Sequence, residues 1–239
     1  MGFQFQNDFF QSMKESGNNK LDRGNKMKLL TTNTKIDKSM KLYPEYEASI
    51  LQMLPGKGVC VNYKNCIKEC LAFTGFSKVY KTVNQARQNR KDLFTDNLEL
   101  FKKQLAKEIR NQIKRAIKKN RKAVIRLNGF TDINWNKPEY YIEGFTVFEL
   151  FPDVIFYDYT ADANKVINNE HSNYHLTFSY KGNNEHEAKS LFSEFGINTA
   201  VIDLPENDQF KPIRSIQGDT HDFRFLDNPG SIVWLTFKN

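Results

Sequence analysis

The chain has 239 residues, 39% hydrophobic and 13% aromatic, with 35 Lys/Arg against 28 Asp/Glu and a formal net charge of +7. That is enough apolar side chain for one core of α/β size, and no run of about 18 apolar residues offers a membrane-spanning helix. The three cysteines are an odd number, a poor disulfide framework that favours a reducing compartment. The charge is unevenly divided: residues 1–122 carry 26 Lys/Arg and 11 Asp/Glu, residues 123–239 carry 9 and 17.

Residues 1–26 are rich in Gln, Asn, Lys and Gly, with one aromatic cluster of Phe3, Phe5, Phe9 and Phe10. They are expected to form a flexible arm. The opening Met1-Gly-Phe-Gln-Phe-Gln lacks a basic stretch followed by an apolar one, so no secretory signal is expected. Met27 to Asn33 reads as a short strand, Lys35 to Ser39 as a polar turn, and Tyr46 to Leu54 as a second extended stretch. Pro55-Gly-Lys-Gly58 breaks it. A helical region begins near Val79, with Val83, Ala86, Arg87 and Arg90 at helical spacing. Asp96 or Asn97 is the expected N-cap of the next helix. There Leu98, Phe101, Leu105, Ile109, Ile113 and Ile117 form an apolar stripe. Its other face is basic, and residues 102–122 hold ten Lys/Arg and one acid, Glu108.

From Ala123 onwards short apolar runs alternate with helical ones. Strands are expected at Ala123–Asn128, Val154–Tyr159, Tyr174–Ser179, Thr199–Asp203 and Ser231–Phe237. Helices are expected at Phe145–Phe151, Ala163–Asn168 and Glu185–Phe195, the last ending at Gly196. This βα repeat predicts a parallel sheet with covering helices. No Gly-x-Gly-x-x-Gly and no P-loop follows any strand. Polar groups sit at or just past the strand ends: Arg126, Asn128, Asp132, Asp158, Ser179. In parallel α/β folds that edge builds sites.

The chemistry-bearing stretch is Cys60-Val-Asn-Tyr-Lys-Asn-Cys66-Ile-Lys-Glu-Cys70, which holds every cysteine of the chain. Thiolates gathered this way suit a metal. Three cysteines fit a [4Fe–4S] cluster with one iron open. A structural zinc would need a fourth ligand, and the histidines, His171, His175, His186 and His221, are all remote in sequence. Three buried thiols without metal is the remaining reading. Further on, Asp219, His221, Asp222, Arg224 and Asp227 crowd one loop. An internal ion-pair network with Arg224 on an aspartate is the favoured reading, and anion binding by Arg126 and Arg224 the alternative.

Three cysteines on one loop beside a βα repeat give an architectural similarity to radical S-adenosylmethionine enzymes. The spacing C-x5-C-x3-C departs from their usual C-x3-C-x2-C. The likeness therefore implies the cluster more directly than it implies S-adenosylmethionine. A closer resemblance is carried jointly by Cys60, Cys66 and Cys70, then Val83-Asn-Gln-Ala-Arg87, Arg126-Leu-Asn-Gly129 with Asp132, Phe156-Tyr-Asp-Tyr-Thr160, His175-Leu-Thr-Phe-Ser179 and Gly218-Asp-Thr-His-Asp-Phe-Arg-Phe-Leu-Asp227. Together they resemble the gene product 88 family of tailed bacteriophages. That resemblance implies a viral protein of the host cytoplasm and carries over no activity.

The expectation is therefore an α/β protein with a partial or complete (βα) barrel, a long basic helix and an N-terminal arm. Residues 27–239 would form one domain whose loop 60–70 holds a [4Fe–4S] cluster through Cys60, Cys66 and Cys70. Arg126, Asn128, Asp132, Asp158 and Ser179 would line a cofactor pocket beside it. The leading function is an iron–sulfur protein, of redox or radical type. The rival is a non-enzymatic protein with a structural or redox-sensing cluster or zinc, whose helix 102–122 meets nucleic acid or an acidic host factor. No membrane partner is expected.

Overall fold

The computed structural model describes residues 27–60, 63, 70–73, 80–202 and 215–236. The expected arm 1–26, Cys66, the helical start at Val79, Asp203 and Phe237 lie outside the described residues. The strands are β1 (Leu30–Thr31), β2 (Tyr46–Leu51), β3 (Lys122–Arg126), β4 (Ile155–Thr160), β5 (Tyr174–Ser179), β6 (Thr199–Ile202), β7 (Ser215–Gln217) and β8 (Ile232–Leu235). The helices are α1 (Thr34–Leu42), α2 (Lys81–Asp96), α3 (Leu98–Lys118), α4 (Val147–Leu150), α5 (Ala163–Ile167) and α6 (Glu185–Phe195).

Among the described residues eight strands form one sheet in the order β1-β2-β3-β4-β5-β6-β8-β7. Every pairing is parallel except that of β1 with β2. The expected α/β class holds, but a complete barrel does not form. Closure requires the first and last strands to pair. Here β7 lies outside β8 at one edge, and β1, only two residues long, forms the other.

Strand alternation divides the side chains between two faces. Leu51, Ile125, Phe156 and Tyr174 pack with Phe101, Leu105 and Ile109 of α3, and beside them Phe178, Val201 and Ile232 pack with Ala188 and Leu191 of α6. On the opposite face Ala48, Ile50, Val124 and Tyr157 pack with Ile36 of α1 and with Phe223. So α1 and the segment around Phe223 cover the face that the long helices leave.

Residues 35–39, expected as a polar turn, belong to α1. The reason is local: Asn33 caps the helix by accepting from Ile36 N–H at 2.9 Å, and Ile36 is fully buried. Asn97 caps α3 as expected, accepting from Leu100 N–H. The α3 stripe drifts, however. Phe101, Leu105 and Ile109 are fully buried, but Ile117 is 65% exposed. Each four-residue step overshoots a turn by about 40°, so four steps from Phe101 carry Ile117 about 160° round the helix. Gln112 and Ala116 take the buried positions instead, and Gln112 donates to the Glu47 carbonyl at 2.7 Å. Glu108, the lone acid of that region, pins β1 by accepting from Leu29 N–H at 2.9 Å and Leu30 N–H at 2.7 Å.

Candidate functional site at the carboxyl edge of the sheet

The loop after β2 and the loop after β3 are fastened together at the carboxyl edge of the sheet. Cys60 and Asp132 form a parallel bridge, and Asp132 N–H donates to the Val59 carbonyl at 2.9 Å. Gly129 lets the two loops approach, its N–H donating to the Leu51 carbonyl at 3.0 Å. A Cβ at Gly129 would stand 2.7 Å from that same oxygen, so a side chain there would force the strands apart.

Cys60 is half-buried, and its Sγ donates to the Phe130 carbonyl at 3.8 Å. The Phe130 ring lies under the Arg87 guanidinium, 4.3 Å from its centroid. Arg87 comes from α2, is 6% exposed, and donates to the Asn84 side chain at 3.2 Å and the Ala72 carbonyl at 3.4 Å. Burial, then the neighbouring Arg90, holds its pKa below the ordinary arginine value, and negative charge on Cys70 acts in the opposite sense. A Cys70 thiolate and Arg87 therefore stabilise each other's charged forms. The Phe130–Arg87 stack thus adjoins both described thiols, Cys60 through its carbonyl and Cys70 through its guanidinium partner. Cys66 lies outside the described residues, and among the described residues no group of three or more His, Cys, Asp or Glu is placed to hold a metal ion.

The five residues expected to line a pocket do not converge on one. Asp158 is fully buried on the α3 side of the sheet, where its carboxylate accepts from Asn128 N–H at 2.6 Å, Asn128 Nδ2 at 3.1 Å and Tyr174 OH at 3.0 Å. Burial is the largest influence on it and pushes its pKa up to about 6, against the pull of Lys165, Arg126 and these donors. Asn128 is used up as well, its Oδ1 accepting from Thr131 Oγ1 and Ile133 N–H, both at 2.9 Å. Asp132 ties the β3 loop to the end of β4 and to α5. It accepts from Thr160 Oγ1 at 2.8 Å, Ala161 N–H at 3.0 Å and Lys165 Nζ at 3.2 Å. Lys165, 2% exposed, also donates to the Ile133 carbonyl at 3.0 Å.

Arg126 projects from the other face, the one covered by α1. It pairs with Asp222 at 3.0 Å and lies over the Tyr159 ring at 4.7 Å. Asp222 is the hub there: Tyr157 OH donates to it at 2.8 Å, Lys35 Nζ lies 3.6 Å away, and its own N–H donates to Ser39 Oγ at 2.7 Å. Burial alone would raise the Asp222 carboxyl, but Arg126 and Lys35 bring it below the ordinary value. Ser179 ends β5, where its carbonyl accepts from Asn184 Nδ2 at 3.0 Å. Among the described residues no hydrogen bond or ion pair joins Ser179 to the other four.

The loop Gly218–Asp227 is an internal network, as its residues suggest. Arg224 pairs with Asp227 at 3.1 Å and donates through NH2 to the His221 carbonyl at 2.9 Å and to ring Nδ1 at 3.1 Å. A donor on the imidazole requires neutral His221, and burial followed by Arg224 lowers its pKa to about 4. The sequence did not mark Lys165, Lys35 or Tyr174 as partners of these acids. Lys165 sits in a short apolar-flanked helix and Lys35 in a polar run, so neither carries a local signal for burial.

These features define an open, mainly parallel α/β protein with Cys60 anchored at its carboxyl edge and buried ion pairs on both faces of the sheet. The chain belongs to the Gene product 88 family, whose family model matches residues 13–239. No curated protein and no solved structure matches it significantly. No helix of the described residues is long and apolar enough to cross a membrane.

Proposed function

We propose that this phage-family protein binds a [4Fe–4S] cluster through Cys60, Cys66 and Cys70 and performs redox or radical-type chemistry at the carboxyl edge of its sheet. The observation that carries this reading is the Cys60–Asp132 bridge, which anchors the first thiol of the loop at the sheet edge where parallel α/β folds build sites. The donor set is thiol only, which suits iron–sulfur chemistry. A buried guanidinium next to Cys70 suits it too, because a thiolate-ligated cluster is an anionic group in a partly desolvated place. Such a cluster supplies electron transfer and, with three thiolates, one iron open to a further ligand. The chain's own residues fix the loop through Gly129 and Asp132 and set positive charge beside Cys70 through Arg87.

Anaerobically purified full-length protein should be brown, with broad absorption near 400 nm and about four iron per chain. Stoichiometric zinc, or no metal, would contradict the reading. Addition of S-adenosylmethionine to the reduced protein separates the radical version from plain redox chemistry: an unchanged EPR spectrum and no cleavage remove the radical version.

A second reading, binding of nucleic acid by the basic helix, is favoured by one observation. Lys103, Lys107, Lys114 and Lys118 are all exposed on α3. They would contact phosphates without reading sequence, so binding should weaken steeply with salt. No gel shift on duplex or single-stranded DNA or RNA at low salt would remove this reading.

A further inference from the structure

The outward side of α3 carries a straight row of lysines. At about 100° per residue, Phe101, Leu105, Ile109, Gln112 and Ala116 fall within about 80° of the helix circumference, and all are buried. Lys103, Lys107, Lys114 and Lys118 fall within about 60° on the opposite side, and all are exposed. At about 1.5 Å per residue the row is about 22 Å long. Neighbouring cations are engaged, Lys102 with Glu99, Arg110 with Glu143 and Lys119 with Glu47. Among the described residues no acid pairs with the four lysines of the row. Lys103 with Lys107, and Lys114 with Lys118, are like charges four residues apart, an arrangement that destabilises a helix. Folding alone therefore gives no reason for the row.

An aromatic ring is held beside it. The segment after β3 is fastened along α3 at two points: Lys102 Nζ donates to the Glu139 carbonyl at 3.4 Å, and Arg110 pairs with Glu143 at 2.7 Å. Arg110 lies between Lys107 and Lys114 in sequence and within about 80° of all four lysines round the helix. Glu143 and Gly144 both have positive φ, 55° and 88°, and form a two-residue turn. Ile142 and Phe145 close that turn by exchanging backbone hydrogen bonds of 2.8 and 3.0 Å. Ile142 is buried, whereas Phe145 is 55% exposed. The ion pair and the turn together fix an exposed ring next to the row.

We propose that this surface binds a single-stranded polynucleotide, its phosphates along Lys103, Lys107, Lys114 and Lys118 and a base stacked on Phe145. The inference rests on the reading of α3 as a phosphate-binding helix and is independent of the cluster. It adds the strand state of the partner. A helix that reads duplex enters the major groove, but α3 is packed against the sheet on one side and flanked by residues 139–143, so it offers only an outward ridge. The phosphates of a duplex wind away from a straight ridge, while a flexible single strand can follow it. Only a single strand has base faces free to stack on a ring.

The test is fluorescence anisotropy of purified full-length protein with oligo(dT), oligo(rU) and a mixed-sequence duplex across a salt series. Both single strands should bind about fivefold or more tighter than the duplex, whose bases offer the ring no face. Changing Lys103, Lys107, Lys114 and Lys118 together to Gln should lower the slope of log K against log salt by about 3, four phosphates at about 0.7 each. Phe145→Ala should weaken single-strand binding about five- to 150-fold and leave the slope as it was. All five side chains are exposed, so circular dichroism should match the parent. Lys181→Gln, an exposed lysine in the loop after β5, should change neither quantity. Duplex bound as tightly as single strands overturns the inference while the wider nucleic-acid reading stands; no binding of any probe at low salt removes both. A parental slope in the quadruple variant, or parental affinity in Phe145→Ala, also overturns it.

Discussion

Replacing Asp222 by Leu removes the acceptor shared by Arg126, Tyr157 and Lys35. The Asp222 side chain is 2% exposed and that of Arg126 15%, so the Arg126 guanidinium would be left largely desolvated without its counter-charge. Breaking a buried pair from one side costs about 3–5 kcal/mol. Lys35, 28% exposed, can turn to water and adds little. In a chain of this length that loss lowers Tm by about 6–20 °C. Removing both charges, as Arg126→Met with Asp222→Leu, should be milder than Asp222→Leu alone, because no charge is stranded. Urea titration at pH 7 followed by circular dichroism measures all three variants. A loss below about 1 kcal/mol for Asp222→Leu would refute the argument, since it would mean that Arg126 is already solvated. So would a double variant weaker than the single. The pH dependence has a definite sign. The folded carboxyl is held below its unfolded value, so its contribution is present above the unfolded pKa and is lost as pH falls through the folded one.

Other consequences are as direct. His221 titrates near 4 in the folded chain against a reference of 6.5, so stability falls by about 3 kcal/mol at most as pH drops through that window. Histidine NMR should show one ring with a midpoint near 4, and His221→Asn should lose this acid sensitivity; a midpoint near 6.5 would refute neutral, Arg224-bound His221. Asp158 and Asp227, both raised to about 6, act oppositely and gain stability as pH falls from about 6 toward 3.8, so the His221 effect is read as wild type minus variant. Glu108→Ala removes the carboxylate that holds Leu29 and Leu30; a loss of about 2 kcal/mol is expected, with faster amide exchange in β1 than in β4, and unchanged β1 protection would contradict it. Lys165→Met keeps the volume but leaves Asp132, 16% exposed, with only its Thr160 and Ala161 donors; about 2 kcal/mol, the worth of a hydrogen bond to a charged group, should be lost in a urea titration, and a neutral substitution would show that Asp132 is served by solvent.

The βα rhythm was legible because buried parallel strands are short apolar runs and their helices carry a different period. The strands at Tyr174–Ser179 and near Ala123 follow from that alone, and the cap of α3, expected at Asp96 or Asn97, follows from a short polar side chain just before the apolar stripe. Openness of the sheet did not, because it depends on β7 lying outside β8, and Ser215–Gln217 is too short and polar to announce itself. Likewise α1 looked like a turn, since only Ile36 and Ser39 of its nine residues are buried. At the site, the strand-end residues were found by type, but their use was not. Asp158 and Arg126 point to opposite faces of the sheet, and Asn128 spends its groups on Asp158 and its own loop. A strand-end position says where a side chain starts; alternation and the partner supplied by a distant segment, Asp222 for Arg126, decide where it works.

Iron and acid-labile sulfide, counted per chain in anaerobically prepared wild type and in the Cys60→Ser, Cys66→Ser and Cys70→Ser variants, test the central claim most directly. The account predicts about four of each in the wild type, with a large loss in every variant and the loss at Cys66 as great as at the other two. Wild-type protein without iron, or iron retained when Cys66 is replaced, would contradict it.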